Sequence, residues 1–217
     1  MDNVYWIIIA IVGLVCIIGL SQLGKSDVVT EEMTNLDDQA HAAKLMNEVS
    51  RRIAKFAVYL KQNIGSFPDY TVGIDKFYTR IFGNPRLKIT ERSPPGQTPQ
   101  TLTWFRTYGT VGQSAQNMVV STELCMRNIG TYTLQDVNTL MYVMLHEMAH
   151  VAAFPDQGHS LEFCKYFMFF VQQAPKIGVY KAVDYRYKPV MYCGMQIGEH
   201  YANPQDCYNH LSKLDPK

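Results

Sequence analysis

The sequence predicts an α+β domain that follows an N-terminal transmembrane helix. Three observations support this class: an uncharged apolar stretch near the start, apolar residues at helical spacing in later segments, and β-type alternation between residues 87 and 124. The chain has 217 residues, enough for one domain with a sizeable core. Lysine and arginine total 20 against 19 acidic residues, so the composition does not indicate nucleic-acid binding.

The first predicted element is a transmembrane helix at residues 4–23. About 20 uncharged residues at 1.5 Å each span a hydrocarbon core of about 30 Å. Tyr5 and Trp6 stand at one end, where interfacial aromatics are favoured, and Lys25 follows the other. A cleaved signal peptide is the alternative, but it requires a basic start, and this chain begins with "MDN". The sequence therefore predicts a single-pass membrane protein with its C-terminal domain on the cytosolic side.

The elements that follow are read from residue spacing and turn signals. Residues 24–38 are polar and acidic and predict a juxtamembrane linker, and residues 39–217 are expected to form one domain. Its first half is predicted to contain helices at 39–65 and 73–82 and strands at 87–91, 101–108 and 117–124.

The clearest helix is predicted from Thr133 to Ala153. Asp136 follows Thr133 by three residues, which approximates a capping box, and Pro155 ends the helix. A second helix is predicted to start near Ser160, and because it is apolar on almost every face, we expect it to be buried.

The predicted central helix carries "HEMAH", an HExxH pattern. His146 and His150 lie on one face about one turn apart, where two imidazoles can bind one zinc ion at about 2.0–2.1 Å. Glu147 is rotated away from that face, so its carboxylate can take a proton from a water that zinc acidifies. The alternative is a buried helix with hydrogen-bonded histidines. The apolar flanks argue against it, because unpaired buried imidazoles are costly.

A third ligand is expected because catalytic zinc usually takes three protein ligands and leaves one position open. Eight residues separate His150 from His159, and they include a proline and a glycine that turn the chain. We expect His159 to be this ligand. The competing carboxylates are Asp156, Glu162 and Glu199, of which Glu162 is the main contender, although the helix dipole also explains its place in a first turn.

The order "HEMAH" and then "GHSLEF" resembles the WLM and SprT-like zinc metallopeptidases, which have HExxH, a short loop, a third histidine and a helix with an early aromatic residue. The preceding "VVSTELCMRN" resembles the strand before their active-site helix. The segment "KIGVYKAVDYRYKPVMYCGM" resembles the tail of membrane-anchored WLM-like proteins of nucleocytoplasmic large DNA viruses. The likeness covers about residues 117–175 together with this tail.

The resemblance implies a zincin-like fold of the minigluzincin or SprT type, with Zn²⁺ as cofactor. It places the metal ligands at His146, His150 and His159 and the general base at Glu147. The gap before the third histidine is longer than in typical WLM members. The DNA-binding elements of the nuclear members are not found, so their role in DNA repair is not carried over.

The predicted function is that of a membrane-anchored zinc-dependent peptidase. Its expected partners are a protein or peptide substrate, membrane lipid at residues 4–23 and viral structural proteins, in the virion's inner membrane or a host-derived one. The alternative is a structural zinc-binding membrane protein of a virus particle that has no catalytic activity. A fourth protein ligand on zinc would favour that alternative.

Four cysteines follow the apolar stretch, at widely spaced positions and without a CxxC pair, which argues against a cysteine-rich zinc site. Free thiols in a reducing compartment are preferred over two disulfides on a secretory route. The four are Cys125, Cys164, Cys193 and Cys207.

Several downstream residues are candidates for assisting the reaction by stabilising an oxyanion. They are Tyr185, Arg186, Tyr187, Tyr192 and His200. Met195 is interpreted as a core residue, with an apolar floor under the metal as the alternative.

Overall fold

The computed structural model describes residues 39–83, 86–91, 102–107, 118–128, 131, 133–156 and 158–213. These residues form a mixed fold of helices and two small β-sheets. The helices are α1 (Gln39–Gln62), α2 (Thr71–Phe82), α3 (Val137–Ala153), α4 (Leu161–Gln173) and α5 (Pro204–Leu211). The strands are β1 (Lys88–Glu91), β2 (Leu102–Thr107), β3 (Met118–Leu124), β4 (Val190–Tyr192) and β5 (Met195–Ile197).

Helix α1 packs against the core along one face. Its apolar residues recur at intervals of three and four, so one face is buried while charged side chains cover the other. Lys61 lies in the last turn, where a cation interacts favourably with the helix dipole. The buried face consists of Ala42, Met46, Val49, Ile53, Ala54, Phe56, Ala57 and Leu60.

Helix α3 is the centre of the fold, and α1, α2 and α4 all pack against it. Its start differs from the prediction: the helix begins at Val137, and Asp136 itself is the N-cap, accepting from the backbone N–H groups of Asn138 and Thr139. Asp136 therefore caps the N-terminus of α3, and Thr133 lies outside the helix. The helix ends at Ala153, as the following proline requires.

The larger sheet has the order β1-β3-β2, with β3 in the middle. β1 runs parallel to β3, and β2 runs antiparallel to it. Arg127, which follows β3, forms a buried ion pair with Glu91 of β1, with 3.1 Å between Nε and Oε1. Leaving either charge alone in this buried place would be costly, so the pair holds the end of β1 against the chain that leads into α3.

The predicted membrane topology needs correction. Among the described residues, none of the helices combines the length and the apolar character that crossing a bilayer requires. Helix α1 is long enough at 24 residues, but Glu48, Arg51, Arg52 and Lys55 make it too polar. The structure thus supports a mixed helix and sheet fold, and it does not support a single-pass membrane protein with a cytosolic C-terminal domain.

Two of the predicted segments fall where the structure gives no description. The helix expected at residues 4–23, with its lipid contacts, and the linker expected at residues 24–38 both lie outside the described residues.

The prediction of free thiols is also wrong. Disulfides join Cys125 to Cys193 and Cys164 to Cys207. The pairs are separated by 68 and 43 residues, so no local spacing pattern reveals them, and only the packing of distant segments brings the sulfurs together. The first bond ties the chain after β3 to the β4–β5 turn, and the second ties α4 to α5.

Breaking the Cys164–Cys207 bond should destabilise the domain. Closing a loop of 43 residues restricts the unfolded chain, and such bonds contribute about 2–4 kcal/mol. We expect the double variant Cys164→Ala, Cys207→Ala to unfold at lower denaturant concentration than the parent protein. Adding a reductant should lower the stability of the parent more than that of the variant.

Thiol titration of the denatured full chain provides the check on the pairing. Five cysteines less two bonded pairs leave one, so one reactive thiol is expected before reduction and five after it. Five reactive thiols before reduction would contradict the disulfide assignment.

Candidate metal centre

The site is built on helix α3, whose residues are mostly buried. His146 and His150 are four residues apart on this helix, so their rings share one face. Their ring centroids are 5.0 Å apart. Both side chains are half-buried, which places their polar ring nitrogens at the margin of an apolar core.

His159 completes the group by returning to α3 through a short turn. The chain leaves the helix at Phe154, and Gly158 adopts the left-handed conformation with φ of 65°, which glycine tolerates best. Ser160 then caps α4 by accepting from the backbone N–H of Phe163. His159 therefore stands directly before a fixed helix start.

The three rings form a nearly regular triangle. The centroid of His159 lies 5.0 Å from that of His146 and 5.1 Å from that of His150. The Nε2 atoms of His146 and His159 are 3.1 Å apart. One ligand atom from each residue lies within 4.8 Å of the others, so this half-buried group can hold a metal ion. The structure thus brings together the three residues that the sequence predicted as ligands.

Aromatic side chains of α4 line the same group. The ring of Phe163 lies against that of His150, with centroids 4.2 Å apart, and also contacts His146 and His159. Phe167 lies beyond it, 5.2 Å from His146. These rings fix the imidazole orientations from one side and keep the surroundings apolar.

The electrostatic surroundings of His146 favour an uncharged imidazole. Burial lowers the pKa of His146 well below its usual range, and the nearby rings of His150 and His159 lower it further. A neutral imidazole keeps the lone pair that a metal needs, whereas a protonated one repels the ion. His146 is therefore held in the protonation state of a ligand.

Glu147, the predicted general base, directly follows His146 on α3 and is only 3% exposed. A carboxylate this deep in a domain is unusual unless it has partners or a function. Its catalytic role stays a prediction.

The competing carboxylates are not members of the metal-binding group found among the described residues. Glu162 lies in the first turn of α4, where its carboxylate is 3.7 Å from the ammonium of Lys165 and 42% exposed. Asp156 is exposed in the turn. Glu199 lies 3.7 Å from His210, near the C-terminal helix.

Two of the residues proposed to stabilise an oxyanion have other contacts, and a third lies at the surface. The hydroxyl of Tyr192 accepts a hydrogen bond from the backbone N–H of Cys125 at 3.0 Å. Arg186 is paired with Asp184 at 2.6 Å. Tyr187 is 81% exposed. A role for any of these three residues in catalysis stays a prediction.

The remaining candidates divide between the surface and the core. His200 is exposed, and Met195 is 42% exposed, so the interpretation of Met195 as a core residue is wrong. Tyr185 is buried with its ring centroid 4.7 Å from that of Tyr142. A role for Tyr185 or His200 in catalysis stays a prediction.

Tyr142 is a neighbour of the site that sequence reasoning missed. It precedes His146 by one helical turn, and its ring lies 5.3 Å from that of Phe167, which in turn contacts His146. Burial raises the pKa of Tyr142 well above its usual range, and nearby Tyr201 adds to this effect. The sequence signal that could have identified Tyr142 is its position four residues before His146, which places both residues on the same face of the helix.

Comparison with known proteins gives one relative of substantial similarity. The chain is 32% identical over 200 residues to a protein of Acanthamoeba polyphaga mimivirus described as "Uncharacterized protein R325". The alignment covers 89% of this chain and 93% of that protein. A viral relative is consistent with the viral part of the resemblance noted in the sequence.

No protein-family model matches the chain. No solved structure matches it either, so the zincin-like part of the fold-class prediction has no support and is withdrawn. The short stretch of sequence likeness around HExxH left the arrangement of the other elements unspecified, which is why it did not determine the fold.

Replacing His159 should weaken metal binding far more than replacing Glu162. His159→Ala removes one of three ring nitrogens, so we expect the affinity for zinc to fall by orders of magnitude. Glu162→Ala removes an exposed carboxylate, so we expect little change in affinity and a loss of stability of about 1 kcal/mol or less. Competition with a chromophoric chelator measures both affinities. Loss of metal from the Glu162 variant alone would reverse the assignment.

Proposed function

The chain belongs to the same family as the mimivirus protein R325, and on that premise we propose that it is a zinc-dependent peptidase acting at the three-histidine site. The observation that carries the proposal is the convergence of His146, His150 and His159 beside the buried Glu147. The sequence likeness of this segment to WLM and SprT-like metallopeptidases supports the same chemistry.

Zinc suits this donor set better than the other common metals. Three imidazole nitrogens and one open position are a usual catalytic zinc environment, whereas magnesium and calcium prefer oxygen ligands. Two nitrogens bound tetrahedrally to one zinc ion lie about 3.3 Å apart. The 3.1 Å between the Nε2 atoms of His146 and His159 is close to that separation.

When bound, zinc would supply a Lewis acid that polarises a carbonyl and acidifies water. The residues of the chain would do the rest. Glu147 would accept a proton from the attacking water and return it to the leaving amine. The rings of Phe163 and Phe167 would exclude water from one side of the histidines, which strengthens electrostatic interactions there.

The alternative of a structural zinc site is less well supported. Structural zinc is almost always held by four protein ligands, whereas the metal-binding group in the described part of the chain has three members. The three-membered group instead fits a site that receives water or substrate. The proposed substrates are proteins or peptides, and because the relative is viral, viral structural proteins are the first class to test.

Glu147→Gln should separate catalysis from metal binding. The amide keeps the size of the side chain but cannot accept the proton, so we expect peptide cleavage to fall by several orders of magnitude while zinc content and fold persist. Cleavage of a quenched fluorescent peptide library, measured with zinc-loaded protein, gives the rates.

Glu162→Gln is the matched control, because it makes the same chemical change at an exposed position outside the histidine group. It should cleave as well as the parent protein. Equal activity of the Glu147 variant and the parent would show that Glu147 is not the base. No cleavage by the zinc-loaded parent on any peptide would count against the peptidase itself.

A further inference from the structure

We propose that Lys76 is a positioning residue of the metal centre, which holds the end of α3 so that the following turn returns His159 to His146. Lys76 lies on α2 and is half-buried. Its Nζ donates to the carbonyl oxygen of Phe154 and lies 3.5 Å from that of Ala152. This inference rests on the proposed metal site.

These carbonyl groups are where a cation is most effective. The last turn of a helix has carbonyl oxygens without intrahelical partners, and together they form the negative end of the helix dipole. Ala152 belongs to that last turn of α3, and Phe154 is the first residue beyond the helix. The ammonium of Lys76 thus serves as a hydrogen-bond partner for a carbonyl group at the helix end and for one at the start of the turn.

The contact lies close to two metal-ligand candidates along the chain. Phe154 also donates its backbone N–H to the carbonyl oxygen of His150 at 3.1 Å, so the same residue connects Lys76 to a histidine of the site. Four residues separate Phe154 from His159. A shift at the helix end would therefore move His159 with little room for the turn to absorb it.

Metal ligation tolerates little of such movement. Ligand distances in metal sites lie within about 0.2 Å of their ideal values. The 3.1 Å between the Nε2 atoms of His159 and His146 requires the turn to end in one place. A side chain that fixes the beginning of the turn consequently affects affinity through His159.

Helix α2 is itself well placed to act as a support. The backbone N–H of Gly73, one turn before Lys76, donates to the hydroxyl of Tyr166 on α4 at 3.0 Å. A β-carbon at Gly73 would lie 2.1 Å from the ring of Tyr166, so the two helices approach closely here. Helix α2 therefore contacts both sides of the turn, α3 through Lys76 and α4 through Gly73.

The first test measures zinc affinity of the full chain by chelator competition, together with the absorption spectrum of the cobalt-substituted protein. Lys76→Met removes the ammonium but keeps most of the aliphatic stem. We expect its affinity for zinc to fall about 10- to 100-fold, as for other groups that orient metal ligands. Lys76→Arg keeps the cation and should recover most of the affinity.

Lys55→Met is the matched control. Its Nζ also donates to a backbone carbonyl, that of Ile177 at 3.1 Å, but on the exposed face of α1. We expect it to change zinc affinity by less than about twofold. Melting curves of the metal-free proteins report stability separately. If Lys76→Met does not fold, Lys76→Gln, which keeps a donor without the charge, takes its place.

A double-mutant cycle with His159→Ala decides whether Lys76 acts through this histidine. If it does, Lys76→Met should cause no further loss of affinity once His159 is absent. An equal loss in both backgrounds, or no loss in either, would overturn the proposal. Because the readout is metal binding, these outcomes leave the peptidase proposal untested, whereas a parent protein that binds no zinc would overturn the metal site instead.

Discussion

The fold depends on enclosing helix α3 although it carries two imidazoles and a carboxylate. The helices α1, α2 and α4 surround it, and its apolar side chains form the middle of the core. Buried polar groups must have partners, since each one left without a partner costs free energy comparable to a lost hydrogen bond. The return of His159 to His146 and His150 can meet this requirement for the histidines, because the three rings converge closely enough for one metal ion to share their lone pairs.

Helices α4 and α2 contribute differently to this arrangement. Ser160 caps helix α4 and so fixes the start of that helix directly after His159. Helix α4 also supplies the phenylalanine rings that lie against the imidazoles. Helix α2 supplies a cation at the end of α3. The site is thus held by regular elements on both sides of one short turn, and supports of this kind give the precision that metal coordination requires.

The disulfides and the buried ion pair strengthen the connections between segments that are far apart in sequence. Cys125 links the end of β3 to the β4–β5 turn, and Cys164, next to Phe163 of the site, links α4 to α5. The ion pair of Glu91 and Arg127 joins β1 to the same region after β3. Together these contacts hold the sheets and the C-terminal segment to the helices that carry the site.

The sequence alone determined the local features of this protein. The helical spacing, the β-type alternation, the proline after α3 and the four-residue interval between His146 and His150 are properties of neighbouring residues. They located the main helices, the strands of the larger sheet and the histidine pair, but not β4 and β5. Tertiary structure decided the rest: the pairing of the cysteines, the burial of Glu147, the exposure of Met195 and the contact of Lys76 with the end of α3. These features join or separate residues far apart in the chain, so they depend on how the helices pack, and local periodicity carries no information about that packing.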